Sequence, residues 1–200
     1  MKLRTTVAVL SLVACCLPAF AQDKPAQAPA QPSPEEMQAM MQAMQPGENH
    51  KHLARYVGDW TFTNKMFMAP NQPPMESTGT MHGESLLDGR YVRTHWKGSM
   101  MGMPFEGIGT EAYDNTAKKF VSAWIDNMGT GILFSTGTCE STGNKCNFSG
   151  DMLDPMSGQN MTLRQVTTWN GNDAFVFEMF GKDPSGNEMK MMEMSLKRKK

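Results

Sequence analysis

The sequence predicts an all-β domain, an antiparallel up-and-down meander of about ten strands that closes into a barrel behind a short N-terminal helix. From Gly58 onward, apolar and polar residues alternate with period two, as they do in half-buried strands. Turn-forming dipeptides such as Asp88-Gly89 and Asn170-Gly171 interrupt this pattern at regular spacing, and no helical pattern falls between them. Closure into a barrel removes the open sheet edges, and a two-sheet sandwich is the alternative.

The positions of the turns define the predicted strands. They cover residues 58–68, 76–86, 91–98, 105–113, 120–127, 132–140, 145–153, 161–169, 174–180 and 188–198. The barrel domain is therefore predicted to span residues 58–198, which is long enough to bury a core without metal or disulfide support.

Residues 1–21 are predicted to be a signal peptide. Lys2 and Arg4 form a basic start, an uncharged run follows, and Ala19-Phe20-Ala21 offers small residues at the cleavage positions. The apolar run is shorter than the ~20 residues that span a bilayer, so we expect a periplasmic or secreted protein with no membrane span.

A second processing signal overlaps the first. Leu12-Val13-Ala14-Cys15 resembles a bacterial lipobox, which would leave the protein lipid-anchored through Cys15 instead of free after cleavage before Gln22.

The segment between the leader and the barrel divides into two parts. Residues 22–33 are rich in Pro, Ala and Gln and are predicted to be a disordered tether, because they offer little apolar surface to bury. Residues 34–57 are predicted to form a short helical lead-in. Its first helix begins with Ser33 as the N-cap, Pro34 in the first turn and Glu36 completing a capping box, and it ends near Gln45.

One face of this first helix carries four methionines, Met37, Met40, Met41 and Met44, at helical spacing. The face is predicted to pack against the domain or a partner. An alternative function uses the thioethers instead. Together with His50 and His52, the many methionines would make a periplasmic copper-binding or oxidant-buffering protein, since thioether sulfur suits Cu(I) and is readily oxidised.

Charge and motifs exclude several functions. The chain has 19 Lys and Arg against 20 Asp and Glu, a balance that gives no basic surface for nucleic acid. It contains no Gly-x-Ser-x-Gly, no His-Glu-x-x-His, no Cys-x-x-Cys and no glycine-rich phosphate loop. We therefore expect a binding protein without catalytic residues, cofactor or metal site, and the sequence leaves its oligomeric state open.

Several runs of residues resemble the bacterial family of domains of unknown function numbered 1579. The runs are Gly58-Asp59-Trp60, Asp88-Gly89-Arg90-Tyr91, Met100 to Gly109, Tyr113-Asp114-Asn115, Trp124-Ile125-Asp126 with Met128 to Gly131, and Asp154-Pro155-Met156-Ser157-Gly158. The resemblance covers the chain from about His52 to its C-terminus. It implies a barrel related to the calycins, the group of lipocalins and fatty-acid-binding proteins. Gly58-Asp59-Trp60 is similar to the Gly-x-Trp of the first lipocalin strand, whose Trp packs beneath a basic residue of the last strand. Lys197 or Arg198 would take that role here.

A small apolar or amphipathic ligand inside the barrel is the predicted function. The expected apolar wall is Trp60, Trp96, Phe105, Trp124, Phe134, Phe148, Phe175 and Phe177. Arg93 and Arg164 could fix a carboxylate if they point inward, or pair across strands if they point outward. The loop with Met101 and Met103 would act as a lid or plug the barrel end, and Met and Phe side chains filling the interior are the alternative to a ligand.

Two registers follow from the hairpin turns. A turn on Thr142-Gly143 places Cys139 opposite Cys146, which predicts a disulfide in an oxidising compartment, with two buried thiols as the alternative. A turn on Asp88-Gly89 places His82 opposite His95 on the outer face, beside an ion pair between Glu84 and Arg93.

Overall fold

The computed structural model describes residues 31–154, 157–183 and 185–200. Two short helices, α1 (Pro34–Ala43) and α2 (Glu48–Leu53), and a 3-10 turn (Ala54–Tyr56) precede ten strands. The strands are β1 (Gly58–Met66), β2 (Met75–Leu86), β3 (Tyr91–Met100), β4 (Met103–Asp114), β5 (Lys119–Asp126), β6 (Leu133–Cys139), β7 (Lys145–Leu153), β8 (Asn160–Asn170), β9 (Ala174–Lys182) and β10 (Glu188–Arg198). The predicted signal peptide, with Cys15, and most of the predicted tether lie outside the described residues.

The ten strands form one closed antiparallel barrel. Each strand pairs with its neighbours in sequence, and β1 pairs with β10 to close the ring, so that Phe62 lies opposite Leu196. The predicted fold class is therefore confirmed. Closure satisfies the backbone hydrogen bonds of both terminal strands, which in an open sheet would form exposed edges.

Hairpin turns set the registers as the sequence predicts. His82 lies opposite His95, and Glu84 opposite Arg93, to which it is ion-paired at 2.6 Å. Cys139 lies opposite Cys146, and the two form the predicted disulfide.

The β3–β4 connection is shorter than the predicted Met-rich loop. Met100 and Met103 are the paired strand ends, and only Met101 and Gly102 form the turn, with φ angles of 50° and 78°. Positive φ at both central positions suits the right-handed twist of a two-residue hairpin.

The second part of the lead-in, α2 and the 3-10 turn, covers one end of the barrel, which we call the closed end. The predicted capping box of α1 is present, since Ser33 Oγ accepts from the Glu36 amide and Glu36 accepts from the Ser33 amide. Leu53 of α2 is buried against Val92 and Phe120 inside the barrel. None of the helices in the described part of the chain has the length and hydrophobicity needed to cross a bilayer.

Candidate functional site

The closed end is held by a contact between the two terminal strands. Trp60 of β1 is fully buried, and the Arg198 guanidinium of β10 lies 4.2 Å from the centre of its ring. Arg198 also donates hydrogen bonds to the carbonyls of Val57, Arg55 and Asn172. The basic residue implied above Trp60 is thus Arg198, because its carbonyl partners converge on the point where the lead-in enters the barrel.

The inner wall pairs aromatic rings with glycines. The Trp124 ring leans over Gly107, and the Phe148 ring leans over Gly137, so closely that neither glycine could carry a Cβ. Phe62 covers Gly79 in the same way. Because these positions carry no side chain, each ring can lie closer to the barrel wall and occupies less of the barrel centre. Ten strands also enclose a wider interior than the eight that side chains can just fill.

Glu111 is an ionisable residue on the inner side of β4, towards the closed end. It faces inward between Val92 of β3 and Ser122 of β5, and the Ser122 hydroxyl donates to Oε1 at 3.1 Å. Burial raises the pKa of Glu111 to about 7, and only the Ser122 hydrogen bond opposes that rise. The carboxyl group therefore changes its charge near neutral pH, as groups in binding and catalytic sites often do.

Glu111 and Tyr56 are both partly buried near the closed end, where the Tyr56 ring packs edge-on against Trp169 and Phe175. Burial, with the nearby Glu111 carboxylate as a second cause, raises the pKa of the Tyr56 phenol, so the phenol stays neutral. The bottom of the barrel thus combines a neutral hydroxyl with a carboxyl group of variable charge.

The opposite end, which we call the open end, is lined by methionines. Met66 of β1 lies opposite Met75 of β2 and Met192 of β10, and Met192 lies opposite Met179 of β9. Two further opposed pairs are Met100 with Met103 and Met152 with Met161. Their positions alternate with outward residues in the same phase as Trp60, so they face inward.

The structure separates the predicted ligand residues into two groups. Trp60, Phe105 and Trp124 lie inside, Met103 faces inward at the open end, and Met101 is half exposed on the hairpin turn. Arg93 and Arg164 lie on the outer face instead. Arg93 is paired with Glu84, and Arg164 is paired bidentately with Glu188 and stacked on Phe180. Neither arginine reaches the interior, because the register places each on the outward phase of its strand.

One predicted wall residue was wrong. Phe134 is 61% exposed on the outside of β6, where Ser135 takes the inward position. Glu111 was missed, although the strand pattern contained the signal. Phe105, Gly107, Gly109 and Glu111 follow one another at every second position, which places the carboxylate on the aromatic and glycine face.

The described residues do not bring the histidines of the copper alternative to the α1 methionines. His50 is buried edge-on against Tyr113, and His52 Nε2 lies 3.5 Å from Cys146 Sγ of the disulfide. Burial lowers the pKa of His52 to about 4, with the Arg55 charge as a lesser cause. The α1 methionines are 41–64% exposed, and α1 makes no contact with α2, the helix that carries both histidines.

The sequence matches the model of a protein family described as "Protein of unknown function (DUF1579)" over residues 45–198. The chain belongs to the DUF1579 family. The match includes all ten strands, α2 and the 3-10 turn but not α1, which agrees with the resemblance noted from the sequence. No curated protein matches the chain significantly.

Two solved structures share the barrel fold. Rv2717c from M. tuberculosis aligns with a TM-score of 0.59 at 12% identity, over 78% of this chain and 100% of its own. The S-type phycobiliprotein lyase CPES from Guillardia theta aligns with a TM-score of 0.54 at 10% identity, over 80% of this chain and 97% of its own. At these identities the likeness shows the fold, that of a calycin-like barrel.

Proposed function

We propose that this DUF1579 protein is an exported binding protein that holds a small apolar or amphipathic molecule inside its barrel and performs no chemistry on it. The observation that carries the proposal is the construction of the interior. Aromatic rings contact glycines around the inner wall, and the partly buried Glu111 and Tyr56 add polar groups near the closed end. Such a mainly apolar space with a few convergent polar groups is typical of a ligand site.

The polar groups at the bottom suggest which end of the ligand enters first. Glu111 accepts one hydrogen bond from Ser122, and the described residues offer no other donor to its carboxyl group. A ligand with a hydroxyl or amine head would supply a second hydrogen bond there, while its apolar part would contact Phe62 and Trp124. The fold shared with a phycobiliprotein lyase is compatible with this function, but at 10% identity it does not specify the ligand.

Export is part of the proposal and rests on two features. The basic start and short apolar run of residues 1–21 have the form of a signal peptide, with lipidation at Cys15 as the alternative. The Cys139–Cys146 disulfide suits an oxidising compartment. Mass spectrometry of the protein from its native host would report the mature N-terminus, any lipid and any retained ligand together.

A fluorescent hydrophobic probe tests the binding. The native protein should bind the probe, and a lipid extract from the host should displace it competitively. Trp124→Ala should weaken binding by roughly tenfold or more, since a buried aromatic wall contact contributes more than 1 kcal/mol. Ile125→Ala is the matched control, because Ile125 is the next residue on β5 and is 43% exposed outside. Absence of probe binding by the folded protein, or equal effects of the two variants, would contradict the proposal.

A further inference from the structure

A small recess lies at the open end, between the ends of β1 and β2 and the β3–β4 hairpin. Its volume is about 70 Å³, which suits an ion or a few waters and is far below the ~300 Å³ of small-molecule sites. The lining side chains that matter here are Asn64, Met66, Met75, Ser77, Met100 and Met101.

Four methionine side chains line this recess. Met66 lies directly opposite Met75, and opposed side chains on one face have Cβ atoms roughly 5 Å apart. Met100 ends β3, and the left-handed backbone of Met101 turns the chain over the recess. Three strand ends and one turn thus bring four flexible thioethers to one small space.

Asn64 is a buried polar residue that lines the recess. The residue is only 5% exposed, and its Nδ2 donates to Ser77 Oγ at 3.4 Å. Its buried Oδ1 has no hydrogen-bond partner among the described residues. A buried carbonyl oxygen without a partner costs about 1–3 kcal/mol, a cost that the charge of a cation bound nearby would help to offset.

We propose that this recess is a binding site for a soft monovalent cation, Cu(I) or Ag(I), with the sulfurs of Met66, Met75 and Met100 as ligands. Thioethers select soft ions, whereas Ca²⁺ and Mg²⁺ require several oxygen ligands. The unpaired carbonyl dipole of Asn64, a residue that lines the recess, favours a positive charge there. The site is separate from α1, whose methionines do not line the recess.

Anaerobic titration of the purified mature protein with Cu(I), in competition with a chromophoric Cu(I) chelator, tests the proposal. The unaltered protein should hold one equivalent. The Met66→Leu/Met75→Leu/Met100→Leu variant should bind it more than about tenfold more weakly, because Leu keeps the volume and removes the sulfur. The Met37→Leu/Met40→Leu/Met41→Leu variant is the matched control and should bind as the unaltered protein does.

Equal Cu(I) binding by the recess variant, or loss of binding in the α1 variant, would overturn the proposal. If the recess variant does not fold, Ag(I) titration of unaltered protein with ¹³C-labelled Met methyl groups replaces it. Shifts at Met66, Met75 and Met100 are expected, and shifts confined to α1 would overturn the proposal. The recess variant should still bind the hydrophobic probe, so failure of this site and failure of the interior site are distinguishable.

Discussion

Replacing Glu111 with Gln should remove a loss of stability that the unaltered protein suffers as the pH rises from 4 to 8. In the unfolded chain this carboxyl group loses its proton near the ordinary value of 4.5, whereas the folded protein retains the proton until about pH 7. Between these values the unfolded state is therefore favoured more and more as pH rises. The folded pKa is the higher one, so the free energy of unfolding falls through this window.

The difference between 4.5 and about 7 corresponds to about 3 kcal/mol at pH 8. Glu111→Gln removes this loss, but its amide adds a fixed cost because Ser122 can satisfy only its oxygen. A fixed cost cancels when the effects of the variant at pH 8 and pH 4 are subtracted. His52 titrates in both proteins and cancels in the same way.

Urea unfolding followed by circular dichroism at pH 4, 6 and 8 would measure the effect. The stabilisation by Glu111→Gln should be about 3 kcal/mol larger at pH 8 than at pH 4. Glu140→Gln, an exposed carboxyl in the β6–β7 turn, is the control and should show little difference between these pH values. If the effect of Glu111→Gln were the same at all three pH values, Glu111 would not be held in a desolvated interior.

Two further changes test the closed end. Arg198→Ala should lower the free energy of unfolding by about 3 kcal/mol, because it leaves three backbone carbonyls without their donor and uncovers Trp60. Arg93→Ala is the control: it removes an exposed ion pair and should lower the free energy of unfolding by less than about 1 kcal/mol. If Arg198→Ala and Arg93→Ala had similar urea midpoints, the role assigned to Arg198 would be refuted. Replacing Cys139 and Cys146 with Ala should cost about 2–3 kcal/mol, since the disulfide closes a loop of sequence separation 7. Thermal unfolding with and without reductant would measure the contribution of the disulfide. An unchanged midpoint on reduction of the unaltered protein would contradict the expectation.

Local rules explain why so much of the fold was predictable. Each hairpin carries its own turn residues, and each turn fixes which residues face one another, so His82 with His95 and Cys139 with Cys146 follow by counting. The strand bounds differ from the predicted ones by only a few residues. The start of β4 differs most clearly from the prediction. The strand begins at Met103 and not at Phe105, because the turn before it has only two residues.

The site was less predictable because alternation does not say which phase is inside when both phases carry large residues. On β6, either Phe134 or Ser135 could have faced inward, and in the structure the larger residue lies on the outside. On β10, methionines occupy both phases, and an irregularity between Lys190 and Met192 shifts the register. No local rule identifies that shift.

By itself, the sequence determined the order of the strands, their hairpin registers, the disulfide and the capped first helix, because each depends on residues close together in the chain. Only the tertiary structure decided what the closed ring brings together. Pairing of β1 with β10 selected Arg198 over Lys197 to cover Trp60 and set Met66 beside Met192. Enclosure by ten strands made Glu111 a buried carboxyl group, since desolvation comes from surroundings that are distant in sequence.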